Sequence, residues 1–526
     1  LALTLGASIV IALSLSSLAA ARSKTPRPTV AAALQTLAKS GAITAAVYHS
    51  DVEAYLAAER SLKHLRGTRH TELAAVLSNL TSIAGARELT ASRQGALFLT
   101  LEKNRLWWTS RPLLSAGARI SFSPSRLVWQ YYPGQGLEIQ WLGTFGEANG
   151  YYLANESANL RQVLNEALAL ATQRAAGIAW EYMFRFDGGS PPWTSGLSQG
   201  TALQAYSRAW SRLKEAAYLT AAQQALGIFR APPPSGVSVT SGTGTLYAEY
   251  TYAPGDRILN GFIQALVGLY DYTSITQDPA GLALFEAGDA EARAIVPSYN
   301  TGAWSLYDQY GESNLNYHEL LAEFLQHLCE RTRKGPPIAP AATTTTTTTQ
   351  STTETSSATA TSPGTGGTSP TTSTTSTSTS PTTSTSATSS TTSTSTTTST
   401  STTQTAIAGD QIYCTTAKAF TADLHTPPTI SLLSKTLAGG ARAGVQVALS
   451  KISYVGLTVR AGGRVVWRNS ALVGAGKPRI LWVTPRAGGT FTVTLTATDL
   501  AGNGASATGS LVVHHVAPKA HAARRR

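Results

Sequence analysis

Between Ala342 and Thr405 the chain is almost entirely Thr and Ser, with scattered Pro, Gly and Ala. Such a tract cannot bury enough apolar surface to offset the entropy of ordering it, so residues 342–406 are expected to form an extended linker that can carry O-linked sugars in a secreted protein. Whatever folds must therefore do so on either side of it. The 526 residues leave room for two or three domains, each with its own core. The flanking segments read as one domain at 25–341 and a second at 407–515, followed by a basic tail at 516–526 that ends in Arg524-Arg525-Arg526.

The formal net charge is +12, yet only 13% of residues are charged, so the imbalance reflects few carboxylates more than basic clusters. That argues against a nucleic-acid partner and leaves either an acidic polysaccharide or a merely basic surface. Cys329 and Cys414 are the only cysteines. No metal-ligand spacing exists, so neither a metal site nor a cofactor is expected. The two cysteines read as free or buried thiols, with a disulfide that closes the linker in an oxidising compartment as the alternative. Leu1 to Ala21 has no charged residue and ends Ser17-Leu18-Ala19-Ala20-Ala21, which reads as a secretory signal peptide with an uncleaved anchor as the alternative. Either reading places the folded parts outside the cell, secreted or on the envelope.

Within the first domain, Leu56, Leu62 and Leu65, then Leu73, Val76, Leu77 and Leu80, repeat as two helical faces between Val47 and Ala86. From about 92 to 190 the period reads as strand: Ala96–Leu101, Arg119–Phe122, Leu127–Trp129, Leu137–Trp141 and Trp180–Phe186. The exception there is a helix from about Ala158 to Ala175. From 191 to 335 helices dominate, with a hairpin at Val237–Tyr252 and a helix over Ile258–Asp271 that places Ile258, Phe262, Leu266 and Leu269 on one face. Asp278-Pro279 supplies a cap and a first-turn proline for another helix. The second domain alternates apolar and polar residues from Thr490 to Thr498, with further strands at Val445–Leu449, Ile480–Val483 and Leu511–Val513 and a hairpin at Val459–Trp467. The fold class is therefore α+β, a small β-rich region plus antiparallel helices, then an all-β sandwich.

Several words lie in order across the helical part: Ala248-Glu249-Tyr250, Ile258-Leu259-Asn260-Gly261-Phe262, Gly268-Leu269-Tyr270-Asp271, Tyr299-Asn300-Thr301-Gly302, Leu306-Tyr307-Asp308 and Tyr317-His318. With Tyr131-Tyr132-Pro133-Gly134-Gln135-Gly136-Leu137 and Leu197-Ser198-Gln199-Gly200 upstream, this series resembles the C-terminal catalytic domain of D-glucuronyl C5-epimerases over about Val128 to Glu330. The resemblance implies an incomplete α/α toroid that inverts C5 of glucuronic acid residues in an acidic polysaccharide. It implies Glu249 and Tyr317 as the opposed proton-transfer pair, Tyr250 and Tyr307 as donors to the sugar carboxylate, and Tyr132, Gln135, Gln199, Asn260 and His318 as substrate contacts. This chain departs from the family at Gln309-Tyr310, where an arginine is usual, and at Leu321, where many members have histidine. The segment Gly488-Gly489-Thr490 to Asp499-Leu500-Ala501-Gly502-Asn503 resembles bacterial immunoglobulin-like modules, which implies adhesion to a cell-wall or envelope glycan, or simple spacing.

The chemistry suits those residue types. Removing a proton beside a carboxylate spreads charge onto a group already negative, so fixed donors and an acid and base on opposite ring faces are required. A phenol can donate or accept, and its ordinary pKa of about 10 drops beside positive or hydrogen-bonding groups. On a regular strand Glu249 and Tyr250 would face opposite sides, so both reach one cleft only if the strand ends or bulges there. A uronic-acid polysaccharide lyase, which makes the same proton abstraction, and a non-catalytic glycan-binding envelope protein remain the other readings.

Overall fold

The computed structural model describes residues 27–175, 177–338 and 407–516. The expected signal, linker and basic tail beyond Val516 lie outside these residues. Among the described residues no helix is long and apolar enough to cross a membrane.

Four helices open the described residues: α1 (Val30–Lys39), α2 (Ala45–His64), α3 (Gly67–Gly85) and α4 (Ala91–Ser110). The last corrects the strand expected at Ala96–Leu101. A short apolar run has no period of its own, and here it lies within twenty helical residues that bury Ala96, Leu97, Phe98, Leu101 and Trp108 on one side.

A three-stranded antiparallel sheet follows, β1 (Arg119–Ile120), β2 (Trp129–Tyr132) and β3 (Gly136–Ile139), in that order. Its tight turn is held from α3, where Glu72 accepts hydrogen bonds from the Tyr131 hydroxyl (2.9 Å) and from the backbone N–H groups of Gly134 (2.8 Å) and Gly136 (3.0 Å). Gly136 has φ +90°, and a Cβ there would lie 2.5 Å from Asn104 Oδ1, so only glycine fits.

The remaining helices form two layers. An inner row, α5 (Trp141–Leu153), α7 (Gly196–Leu213), α9 (Leu259–Thr276) and α11 (Leu315–Thr332), packs neighbour against neighbour. Outside it α6 (Ser157–Ala169) covers α5, α8 (Ala216–Ala225) covers α7, α10 (Pro279–Ile295) covers α9, and α12 (Ile407–Asp423) covers α11. Two short hairpins connect this row, β4 (Thr172–Arg174) with β5 (Gly177–Ala179), and β6 (Ser238–Thr240) with β7 (Thr245–Tyr247). The α7–α9 crossing is close because glycines meet: a Cβ on Gly268 would lie 2.1 Å from Gly200 O, and one on Gly200 would lie 2.6 Å from Ala265 Cα. The strand expected at Trp180–Phe186 is instead irregular chain pinned by the bridges Tyr182 with Trp193 and Phe186 with Gly189.

Residues 407–423 were expected to belong to the β-sandwich, yet they form the helix α12 and pack in the helical core. Its Tyr413, Ala417 and Phe420 are buried with the apolar residues of the inner and outer rows. Cys414 on α12 is bonded to Cys329 on α11, which overturns the reading of two thiols. The bridge spans a sequence separation of 85 residues, and the chain-entropy argument gives it about 4.5 kcal/mol. Cys329→Ser is expected to lose about that much stability, read as a lowered urea midpoint with a steeper slope, because the unbridged unfolded chain exposes more surface.

The sandwich has two sheets, β13-β10-β8 and β12-β11-β14-β15-β9. Its strands are β8 (Ile430–Leu432), β9 (Thr436–Ala438), β10 (Arg442–Leu449), β11 (Ser453–Ala461), β12 (Arg464–Val473), β13 (Arg479–Val483), β14 (Gly489–Asp499) and β15 (Gly504–His514). Alternate residues point inward as the sequence pattern requires: Val445 and Val447, Val455 and Leu457, Val493 and Leu495 are all buried in one core.

Candidate active site

The inner helices and the chain between them enclose a cleft of about 950 Å³. Tyr132 on β2, Tyr182, Phe184, Phe186 and Trp193 before α7, Glu249 and Tyr250 after β7, Tyr307 on the loop before α11 and Tyr317 in its first turn line it. Asn260 and Gln264 reach it from α9, Thr201, Gln204 and Arg208 from α7.

Glu249 and Tyr250 share this cleft because β7 ends at Tyr247, which releases both from the alternation of a strand. Glu249 is 8% exposed. Its Oε1 accepts a hydrogen bond from the Ser195 hydroxyl at 3.1 Å, while Oε2 has no partner among the described residues. Burial pushes its carboxyl up from the usual carboxylate range to about 7, and the Ser195 hydrogen bond opposes the shift. Ser195 is itself the cap of α7, accepting from the Ser198 N–H. Gly261, the third residue of α9, leaves the room for this carboxylate, since a Cβ there would lie 1.8 Å from Oε2. The side-chain oxygen of Asn260 is buried and likewise without a partner among the described residues.

Three phenols face Glu249. The rings of Tyr307 and Tyr317 are 4.6 Å apart at 41°. Tyr250 packs edge-on to Trp193 and stacks on Tyr252, centroids 5.6 and 5.2 Å away. Burial first, then the negative charge of Glu249 and of the other phenols, raises the pKa of Tyr250. Burial likewise raises Tyr307 and Tyr317. Burial outweighs the hydrogen bonds among these phenols, which would by themselves lower their pKa. Such phenols keep their protons at neutral pH and act as donors. Tyr132 stacks on Phe184 at 4.6 Å, with its phenol pushed up to about 12 by burial.

The structure does not bring all the expected residues to the cleft. Gln135 points away, its side-chain oxygen accepting from Asn79 Nδ2 (3.1 Å) and the Arg185 N–H (3.2 Å). Gln199 is fully buried and donates to Ile178 O at 2.8 Å, a tie between α7 and β5. His318 is fully buried behind the site, stacked on Trp304 with ring centroids 3.6 Å apart. Its Nδ1 accepts from the Ser305 N–H (3.2 Å), so its Nε2–H donates to Phe420 O (2.9 Å) on α12. Burial holds the imidazole down at about 4.

Other lining residues escaped the sequence reading. Ser195 is one of them, since nothing in its neighbourhood tells of a carboxylate 54 residues on. At the far end Arg208 and Arg331 converge on Asp271, at 2.9 and 2.5 Å, so the triad carries one net positive charge. Their partners lie on three helices, α7, α9 and α11, and no local spacing announces them.

Fold and cleft together define a carboxylate and phenol site cut into an α/α helical scaffold, with no cluster among the described residues that could hold a metal. Residues 174–338 match the family described as D-glucuronyl C5-epimerase C-terminus, and the chain carries a domain of that family there. Over 131 residues it is 29% identical to a D-glucuronyl C5-epimerase of Caenorhabditis elegans, covering 22% of this chain and 21% of that protein. An uncharacterized protein of Methanocaldococcus jannaschii is 27% identical over 151 residues, 27% of this chain and 49% of that one. The chain thus spans about a fifth of the first relative's length and about half of the second's. Among solved structures, an engineered protein is 27% identical over 16% of this chain and 20% of that one, with a TM-score of 0.14 that carries no structural argument.

Proposed function

We propose that this protein inverts C5 of D-glucuronic acid residues within an acidic polysaccharide. The observation that carries the reading is the buried Glu249 oxygen without a partner, facing a cleft into which Tyr250, Tyr307 and Tyr317 also point. Glu249, with a carboxyl near 7, takes the proton from C5. The electron pair of the broken C–H bond moves into the C6 carboxylate, whose growing charge Tyr250 and Tyr307 stabilise by donating hydrogen bonds. Tyr317 gives its phenolic proton to the opposite face of C5, the pair returning from the carboxylate to form the new C–H bond. The phenolate then regains a proton from solvent and Glu249 releases its own. The net positive charge of the Arg208, Arg331 and Asp271 triad supports an anionic polymer as the occupant. The Cys329–Cys414 bridge supports a location outside the cytoplasm.

The test is incubation with a glucuronic acid polymer such as heparosan in deuterated water. Deuterium at C5 of intact chains is the expected result, whereas unsaturated fragments would identify a lyase and no label would leave only a glycan-binding role. Tyr317→Phe is predicted to lower kcat for exchange by about two orders of magnitude or more, the usual worth of a positioned acid. Polymer binding should stay within about twofold, because the aromatic ring remains. Full exchange in that variant removes Tyr317 from the mechanism.

A further inference from the structure

Tyr307 sits on a loop, Asn300 to Asn314, that runs from the end of α10 to the start of α11. The α/α scaffold holds it at a few points. The bond from Leu259 N to Tyr307 O (3.2 Å) ties it to α9, Gln309 donates to Gly255 O (2.9 Å) and accepts from the Arg257 N–H (2.9 Å), and Trp304 and Ser305 rest on His318 of α11. Further anchorage comes from beyond the linker. Glu312, paired across the loop with Leu306, accepts hydrogen bonds from the backbone N–H of Ile452 (3.0 Å) and of Ala475 (2.7 Å). These two amides precede β11 and follow β12, so one carboxylate clasps one end of the sandwich.

Beside this clasp lies a second one. Lys451 is 1% exposed, pairs with Asp499 at 2.7 Å and donates to Asp423 O at the end of α12 (2.7 Å). Its ammonium stands 5.2 Å over the Trp304 ring. Trp304 in turn stacks on His318, whose two nitrogens join Ser305 of the loop to Phe420 of α12. Ser305 and Ser313 close the loop on itself, hydroxyl to hydroxyl, at 2.9 Å. A buried lysine without function would be an expensive way to hold a spacer, because a desolvated ammonium must be fully satisfied. Here it joins the sandwich, α12 and the loop at one point.

We propose that the C-terminal sandwich is a working part of the cleft. By gripping Glu312 and Trp304 it fixes the loop that bears Tyr307 and leads into the helix that bears Tyr317. Glu312 and Lys451 are positioning residues, acting on the phenols through the loop. This role differs from adhesion or spacing, and its catalytic half rests on the epimerase reading.

The test uses the full chain as Glu312→Ala, Glu312→Asp and Lys451→Met, with Glu286→Ala on the exposed face of α10 as the control. The loop amides to follow by hydrogen exchange are Tyr307, bonded to Gly311 O, and Ser313, bonded to Ser305 O. In Glu312→Ala and Lys451→Met they should exchange about tenfold faster or more, with α7 and α9 as protected as before. In the same variants kcat for C5 exchange should fall about tenfold with KM within about twofold, and Glu312→Asp should recover part of it. Should Lys451→Met fail to fold, the surface clasp at Glu312 alone decides. Unchanged protection of Tyr307 and Ser313 overturns the proposal, as does a loosened loop with full kcat. A wild-type chain without C5 exchange sinks the epimerase reading by itself, and loop protection then still decides whether the sandwich orders this wall.

Discussion

With alanine at 261, C5 exchange is expected to fall by about two orders of magnitude or more while the protein becomes no less stable. The two effects separate because the obstacle is small and well defined. An added Cβ would lie 1.8 Å from Glu249 Oε2 and 2.9 Å from its Cδ, with no backbone atom of a neighbour in the way. The carboxylate is the end of a side chain that can swing aside, so α9 keeps its place and the acid does not. Displacement of a catalytic group by about 1 Å is enough to cost two orders of magnitude, since proton transfer requires hydrogen-bond reach of the carbon acid. Alanine also loses less backbone entropy than glycine in a helix interior, by about 1 kcal/mol, which offsets any loss of contacts. Melting temperature and kcat are therefore predicted to move independently. A Gly261→Ala protein with wild-type exchange would mean that Oε2 does not do the work assigned to it.

The same residue shows how far the sequence could be read. The words that carry the resemblance mix two kinds of residue. Glu249, Tyr250, Asn260, Tyr307 and Tyr317 do face the cleft, but Gln199 and His318 from adjoining words are ties inside the scaffold. A polar residue in a shared word can be shared because it holds the fold, and only burial and partners separate the cases. The strands of the sandwich were legible because a sheet with one buried face forces a period of two. The run Ala96–Leu101 was not, because six apolar residues satisfy a strand and a buried helix equally well. Residues 407–423 were placed with the wrong domain for a different reason. Nothing local states that Tyr413, Ala417 and Phe420 pack on a helix lying before the linker, and the disulfide that would have said so joins two cysteines 85 residues apart. Long-range pairing is the information that composition and period do not contain.

The pH dependence follows from Glu249 and is the second large effect. As the proposed base it must be ionised, and burial sets its carboxyl near 7, so kcat/KM for C5 exchange should drop about tenfold for each pH unit below about 7 and level off above it. No falling limb is expected near neutrality, because Tyr250, Tyr307 and Tyr317 are all raised and stay protonated as donors. Ser195 moves the curve. Its hydroxyl donates to Oε1 and so favours the ionised form, and Ser195→Ala should shift the midpoint to higher pH. The variant is therefore predicted to be slower than wild type in acid and nearly equal to it once pH exceeds both midpoints. A role limited to capping α7 would instead lower the rate by the same factor throughout, or not at all. A wild-type midpoint near the ordinary glutamate value would place the base elsewhere, for then the group that gates exchange would be solvated, and Glu249 is not.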